Sequence, residues 1–414
     1  MRRLAVLVAA GAALWLAPGA FAAGWCGTGE SSTDRPDTTT GQQIHAIVAI
    51  PSDGTDNFAA DANRLQNDAD SLTTWWTGQD ATRAPRFDQA VFPGGTCLDI
   101  SFVRLTVSTA QLQSANAAFT RVRAALAIVS FQSPYKKYLV YYDGPQVEAD
   151  ICGTGAGDFS RGPAYAVVWL QGCPDIGGDA VSAHELIHAL GALPLRAPHA
   201  CPGDPGHPCD SPLDVLYPTA DPSRTLQQEV LDVGRDDYYG HSGTWDDIQD
   251  SLWLRHLDTP QEALTVTMAG TGNVTSEVPG VACGAPCTTQ WDQGSLVTLV
   301  AAPARGQRFV RWSGACAGSG NCAVNLTQPQ SVTAVFGPSR VALRVTTKGR
   351  GAVRCTPACS RTVLAGKPIT LRAVPAKGWS FTGWSGACKG MRTVCRPPTT
   401  AAVSVRATFR RKSV

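Results

Sequence analysis

Past Leu16 the chain has no apolar run long enough to cross a bilayer, so nothing downstream reads as a transmembrane helix. None of its 14 cysteines form a Cys-x-x-Cys pair, which argues against the paired knuckles of a thiolate zinc site. Methionine is scarce: Met1, Met268 and Met391 are the whole set, leaving residues 2–267 with none. Acids are missing where bases are dense. From Arg340 onward there are 16 of the 35 Lys and Arg, and not one of the 33 Asp and Glu. A formal net charge of +2 therefore conceals an acidic majority and a strongly basic last stretch. That stretch cannot pair its charges internally, so it is either a solvated basic surface or a binding site for a polyanion such as an anionic cell-wall polymer, acidic polysaccharide or DNA.

The start of the chain sets the compartment. Met1-Arg2-Arg3 is a charged n-region, Leu4 to Leu16 an apolar core and Ala20-Phe21-Ala22 a small-x-small cleavage site, so residues 1–22 read as a signal peptide and Ala23 as the mature start. No lipobox precedes Cys26, and Arg410-Arg411-Lys412-Ser413-Val414 is not a wall-sorting signal. The expectation is a secreted, soluble monomer, associated with the cell wall if the basic stretch binds there. Heavy Gly, Ala and Arg usage suits a bacterium of high genomic GC content. An even number of cysteines in an exported chain predicts disulfides, with Cys201 and Cys209 closing a short loop.

A mature chain of nearly 400 residues is too long for one core. Residues 23–258 read as one α/β unit, followed by β-modules over 259–338 and 339–414. In the first unit, strands are predicted over Gln43–Ile50, Leu98–Leu105, Lys137–Tyr142 and residues 164–170. Helices are predicted over Asn57–Trp76, Ala110–Val129 and Thr244–Leu257.

Between the last strand and the closing helix stands His184-Glu185-Leu186-Ile187-His188. Histidines four apart share one helical face, so both imidazoles can reach a single metal ion. A glutamate beside the first can take a proton from water at that metal. Gly177-Gly178-Asp179 supplies a turn and an N-cap aspartate, and Gly191 falls where a left-handed C-cap belongs.

With Ala189-Leu190-Gly191 added, the motif resembles the start of the metzincin signature. That resemblance implies an α+β zincin-like catalytic domain (a mixed sheet plus an active-site helix), one catalytic zinc ion and hydrolysis of protein or peptide substrates. Two departures are visible. The family's third histidine position is Pro194, and the family's methionine turn corresponds to Ser211–Pro218 with Leu216 in place of methionine. Reading residues 192–198 as an insertion moves the third ligand into the following loop. His199 is favoured there and His207 is next, while Asp204 and Asp210 are also present. A thermolysin-like scheme would use Glu229 instead. The expected metal ligands are thus His184, His188 and His199, with Glu185 as general base and Tyr217, Tyr238 or Tyr239 as a phenol for the oxyanion.

The last third repeats itself. Cys283, Cys287, Pro303, Gly306, Phe309, Trp312, Gly314 and Cys316 recur 72 residues later, and Cys322 and Phe336 recur 73 later. Alternating runs between glycines and prolines predict two small all-β modules stapled by disulfides. Gly-x-x-Phe-x-x-Trp-Ser-Gly-Ala-Cys in both resembles the divergent internalin-B repeats of secreted and surface proteins over residues 264–410. The expected function is a secreted zinc endopeptidase brought to surfaces by its repeats. The alternative is an inactive zincin-like binding or adhesive protein, which Pro194 and Leu216 keep open.

Overall fold

The computed structural model describes residues 24–113, 117–147, 151–159, 162–192 and 197–412. The expected leader, its cleavage site and Pro194 lie outside the described residues. The chain forms two compact units, one containing Gln43–Arg255 and the segment ending at Arg35, the other Pro36–Gln42 and His256–Val414. No helix among the described residues is long and apolar enough to cross a membrane.

The first unit is built on a five-stranded sheet. Its elements are β1 (Gln43–Ile50), α1 (Phe58–Gln79), β2 (Ile100–Arg104), α2 (Ala118–Ile128), β3 (Lys136–Tyr142), β4 (Gly153–Ala156), β5 (Ala164–Trp169) and α3 (Gly178–Ala189). The strand order is β2-β1-β3-β5-β4; the first four run parallel and the edge strand β4 alone is antiparallel. Every residue of β1, β3 and β5 is buried, as expected of parallel strands covered on both faces. Alternation along the strands divides the core. Val48, Leu139, Tyr141 and Val168 pack against α1 and α3, while Ile47, Val140, Tyr142 and Val167 pack against α2. Helix α3, which carries His184-Glu185-Leu186-Ile187-His188, therefore lies on the sheet face shared with α1, beside the edge strand.

Three predicted elements change in the structure. The strand expected over Leu98–Leu105 breaks at buried Asp99, whose carboxylate is taken by Arg35. The helix expected over Ala110–Val129 is a single turn at Thr109–Leu112 plus α2. Thr244–Leu257 is not a helix but a 3₁₀ turn at Ile248–Asp250 and a strand at Leu254–His256. The cause is Asp247, whose side chain accepts hydrogen bonds from the backbone of Gly240, His241 and Gln249 and fixes a turn instead. Leu252, within the expected helix, is 49% exposed.

All 14 cysteines are paired. Cys26–Cys97, Cys152–Cys173 and Cys201–Cys209 staple the first unit. The other four bridges, Cys283–Cys287, Cys316–Cys322, Cys355–Cys359 and Cys388–Cys395, are short-range closures in the second.

The second unit is all β. Each repeat has two sheets around one core, and in each the first long strand pairs in parallel with the last: Gln261–Ala269 with Gln330–Pro338, and Arg340–Lys348 with Val403–Arg411. The shared sequence motif is structural. Trp312 and Trp384 donate their indole N–H to Gly320 O and Arg392 O, locking the loop that the disulfide closes. Gly314 and Gly386 sit at φ of +96° and +90°, and a Cβ there would meet a neighbouring backbone oxygen at 2.4 and 2.3 Å.

Candidate metal centre

Helix α3 starts with Gly177 as its N-cap, so Asp179 lies in the first turn and not at the cap position expected for it. A Cβ at Gly178, the first residue of the helix, would come within 2.3 Å of Asp68 Oδ2. At the other end Gly191 takes the expected left-handed conformation, φ +100°, and a Cβ would stand 2.3 Å from Phe159 N.

The two helical histidines meet a third. After α3 the chain forms a ribbon of β6 (Ala200–Cys201) and β7 (Asp204–Pro208), closed by Cys201–Cys209, and His207 on β7 projects back to the helix. The Nε2 atoms of His184, His188 and His207 form a triangle with sides of 3.2, 3.2 and 3.3 Å. Each ring has its other nitrogen committed. His184 Nδ1 donates to Val215 O at 2.7 Å, His188 Nδ1 to Ala192 O at 3.3 Å and His207 Nδ1 to Asp204 Oδ2 at 2.9 Å. That assignment leaves three Nε2 lone pairs facing one point with no proton between them. A tetrahedral zinc with Zn–N distances of about 2.0–2.1 Å needs nitrogens about 3.3–3.4 Å apart, so the triangle fits such an ion. Burial pushes His184 down to about 4, helped by His207, and pushes His188 well below the usual histidine range, helped by its two neighbours. Both rings are neutral at physiological pH, the form that binds metal.

His199, the ligand favoured from sequence, stands elsewhere. Its backbone N–H donates to Asp237 Oδ1 at 3.0 Å, its Nδ1 lies 3.2 Å from Asp237 Oδ2, and it groups with Asp236 and Asp237. Its modest burial opposes protonation, but the hydrogen bond and charge of Asp237 override that and raise its affinity for a proton. Its ring is therefore not part of the His184, His188 and His207 group. Asp210 contributes charge to that cluster, and Glu229 lines the cleft without joining the histidine triangle.

Glu185 is 6% exposed and lines the same cleft, a cavity of 740 Å³ that also takes in Ile176, Val181 and Tyr217. Burial raises its carboxyl to about 8, opposed by a hydrogen bond from the Gly155 backbone. The edge strand makes that contact possible. A Cβ at Gly153 would meet Glu185 Oε1 at 2.5 Å, and one at Gly155 would meet Glu185 O at 2.3 Å. The alternation Gly153-Thr154-Gly155-Ala156-Gly157 is the signal, absent from the sequence reading, that a helix lies against this strand. Gly155→Ala is expected to destabilise the fold by about 1–3 kcal/mol through overpacking. A calorimetric midpoint equal to the parent's would show that this spacing is slack.

The turn at Ser211–Pro218 borders the site, with Val215 O accepting from His184 Nδ1 and Tyr217 lining the cleft. Leu216 is fully buried, and Asp214 ties the turn down by accepting from Leu216 N at 2.8 Å and Val233 N at 2.9 Å. Two of the three expected phenols are engaged elsewhere: Tyr238 donates to Asp214 Oδ1 and Tyr239 to Asp80 Oδ2, both from buried positions. Tyr217 alone lines the cleft. Asp204, absent from the expected catalytic set except as a ligand, is instead the orienting partner of His207. Asp204→Asn is expected to weaken zinc affinity by about 10- to 100-fold while leaving saturating stoichiometry intact, measured by competition against a chelator.

A second constellation imitates a nucleophilic triad. Ser101 Oγ is 3.0 Å from His45 Nε2, and His45 Nδ1 is 3.0 Å from Asp88 Oδ2. All three are 0% exposed, and Lys136 Nζ occupies Asp88 Oδ2 at 2.7 Å. No substrate reaches it, and its role is to satisfy polar groups inside the sheet.

Comparison with known proteins bears chiefly on the repeats. Residues 263–340 and 341–413 each match the divergent InlB B-repeat domain. No curated protein matches the chain. Among solved structures, wild-type OgpA from Akkermansia muciniphila is similar at 10% identity over 92% of this chain and 98% of that one, with a TM-score of 0.26. Catalytically inactive OgpA in complex with an O-glycopeptide (glycodrosocin) substrate gives 9% identity over 93% and 100%, at a TM-score of 0.28. The major pilin protein T-13 of Streptococcus pyogenes gives 8% over 37% and 98%, at 0.17. Superpositions this loose leave the site to be read from its own geometry.

Proposed function

We propose that the chain is a secreted zinc-dependent endopeptidase that its C-terminal repeats hold to anionic surfaces. The observation that carries this reading is the Nε2 triangle of His184, His188 and His207 in one cleft with Glu185. A zinc ion there would polarise the scissile carbonyl and lower the pKa of the attacking water to about 7. Glu185 accepts the proton of that water and passes it to the leaving amine. The Gly155 backbone N–H binds the carboxylate and opposes the burial that raises it, and a zinc ion beside it would lower it further, to the ionised form that accepts a proton. Strand β4, at the edge of the sheet, lines the cleft, so an extended peptide can lie along it as an added strand. Tyr217, which lines the cleft, would be the phenol that meets the developing oxyanion. Base and ligands all come from one unit of one chain, so a monomer suffices.

Chelation of the full-length protein is expected to abolish cleavage of a denatured protein substrate, with one equivalent of zinc restoring it. Cleavage that survives complete metal removal would sink the proposal. A second reading, an inactive zincin-like surface-binding or adhesive protein, draws on the basic second repeat and on Leu216. It expects one zinc per chain with no cleavage of any substrate.

A further inference from the structure

The second repeat carries a charge pattern that its fold does not require. On strand Arg340–Lys348, buried Leu343 faces the core, so Arg340, Arg344 and Lys348 share the opposite, exposed face. On the paired strand Val403–Arg411, Val405, Ala407 and Phe409 face inward and Arg406 and Arg410 face outward. The register sets Thr346 opposite Arg406 and Ser404 opposite Arg344, so all five cations stand on one sheet face. Serine and threonine separate them: Arg406 Nε reaches Thr346 Oγ1 at 3.4 Å and Arg340 Nε reaches Thr362 Oγ1 at 2.9 Å. Among the described residues none of these cations has a carboxylate partner, and the repeat contains no acid to supply one.

The first repeat is an internal control. The pairing of Thr265 with Ser331 there is the pairing of Arg344 with Ser404 here. Carried along both strands, that equivalence puts Gln261, Thr265, Ala269, Thr333 and Gly337 where the second repeat has its five cations. The same sheet forms with none of them charged. Clustering like charge on one face costs stability and is not what holds the sheet together.

The face also limits what it can bind. Trp384 and Phe409 are buried in the core and Trp379 and Phe381 pack against it, so among the described residues no aromatic platform is available for stacking bases. Along a strand the cations repeat at about 13 Å, with neighbouring strands about 4.8 Å apart, making a flat array. A rigid duplex, a cylinder, touches a plane along one line; a flexible chain can cross both strands. Guanidinium forks match phosphate oxygens bidentately. We propose that this face binds a flexible, extended phosphodiester polyanion, contacting its phosphates through Arg340, Arg344, Lys348, Arg406 and Arg410. The proposal deepens the surface-holding role suggested above by naming the face and the ligand chemistry.

The test uses the full-length protein and labelled poly(glycerol phosphate), titrated between about 50 and 200 mM salt. Five phosphate contacts predict a slope of log affinity against log salt near −3.5. The triple variant Arg344→Gln/Arg406→Gln/Arg410→Gln should flatten that slope by about 2 and weaken binding at 0.1 M salt about a hundredfold. The pair Arg354→Gln/Arg372→Gln, directly opposed on the smaller sheet, should change far less. The proposal is overturned if the parent fails to bind at about 150 mM salt, if the triple variant binds like the parent, or if the pair loses as much as the triple. Equal affinity for polyglutamate or for duplex DNA would overturn the assignment to a flexible phosphodiester. Cleavage of a soluble peptide is followed on the same proteins. Binding lost with cleavage retained supports the assignment, and absence of cleavage in every form would count against the peptidase reading alone.

Discussion

Replacing Glu185 with alanine is expected to leave one zinc bound per chain while slowing peptide cleavage by about a hundred- to ten-thousand-fold. The separation of the two effects follows from where the residue lies. Glu185 is next to His184 in sequence, but it stays outside the histidine group, and its side chain turns to the Gly153–Ala156 strand. Metal retention should therefore depend on the three rings and the groups that orient them, and proton transfer on the carboxylate. Glutamine at 185 is the stricter test, because it keeps the volume and the contact with Gly155 while losing the basic oxygen. Elemental analysis beside a peptide-cleavage assay reads both quantities on one sample. Wild-type cleavage by either variant would remove Glu185 from the mechanism, and loss of zinc with the alanine would recast it as part of the metal site.

Much of the first unit was legible because its signals are local. β5 is apolar throughout, β1 is apolar from Ala46 and β3 from Tyr138, and α1 repeats its apolar residues at helical spacing, so pattern alone located them. His184 and His188 were legible for the same reason: one helix fixes both. The third histidine of the cluster was not. Its place depends on a two-stranded ribbon and a disulfide that bring His207 back to the helix, and no spacing counted from Gly191 encodes that fold-back. His199, eight residues nearer, is drawn away by Asp237 from a loop almost forty residues on. Thr244–Leu257 failed for a related reason. Its apolar residues allow a helix, but the Asp247 carboxylate offers the backbone a competing set of partners. The repeats read easily because each was written twice.

His207→Ala is expected to lose stoichiometric zinc, and with it all cleavage, whereas His199→Ala should keep both. A catalytic zinc site normally holds three protein ligands, and two histidines on one helix leave the ion loosely held. Losing an orienting partner alone weakens binding about 10- to 100-fold, so losing the ligand itself should exceed that. His199→Ala removes only a ring bound to Asp237, outside the histidine group, and its backbone N–H, which also binds Asp237, is untouched. Elemental analysis after dialysis against a weak chelator separates the two variants. The reverse result, zinc lost with His199 and kept with His207, would mean that the ribbon rearranges when metal binds. In that case Asp204, now fixed on His207 Nδ1, would be free to move as well, and Asp204→Asn would cease to affect affinity. The two histidine variants and Asp204→Asn therefore stand or fall together, and a mixed outcome fits neither arrangement of the loop.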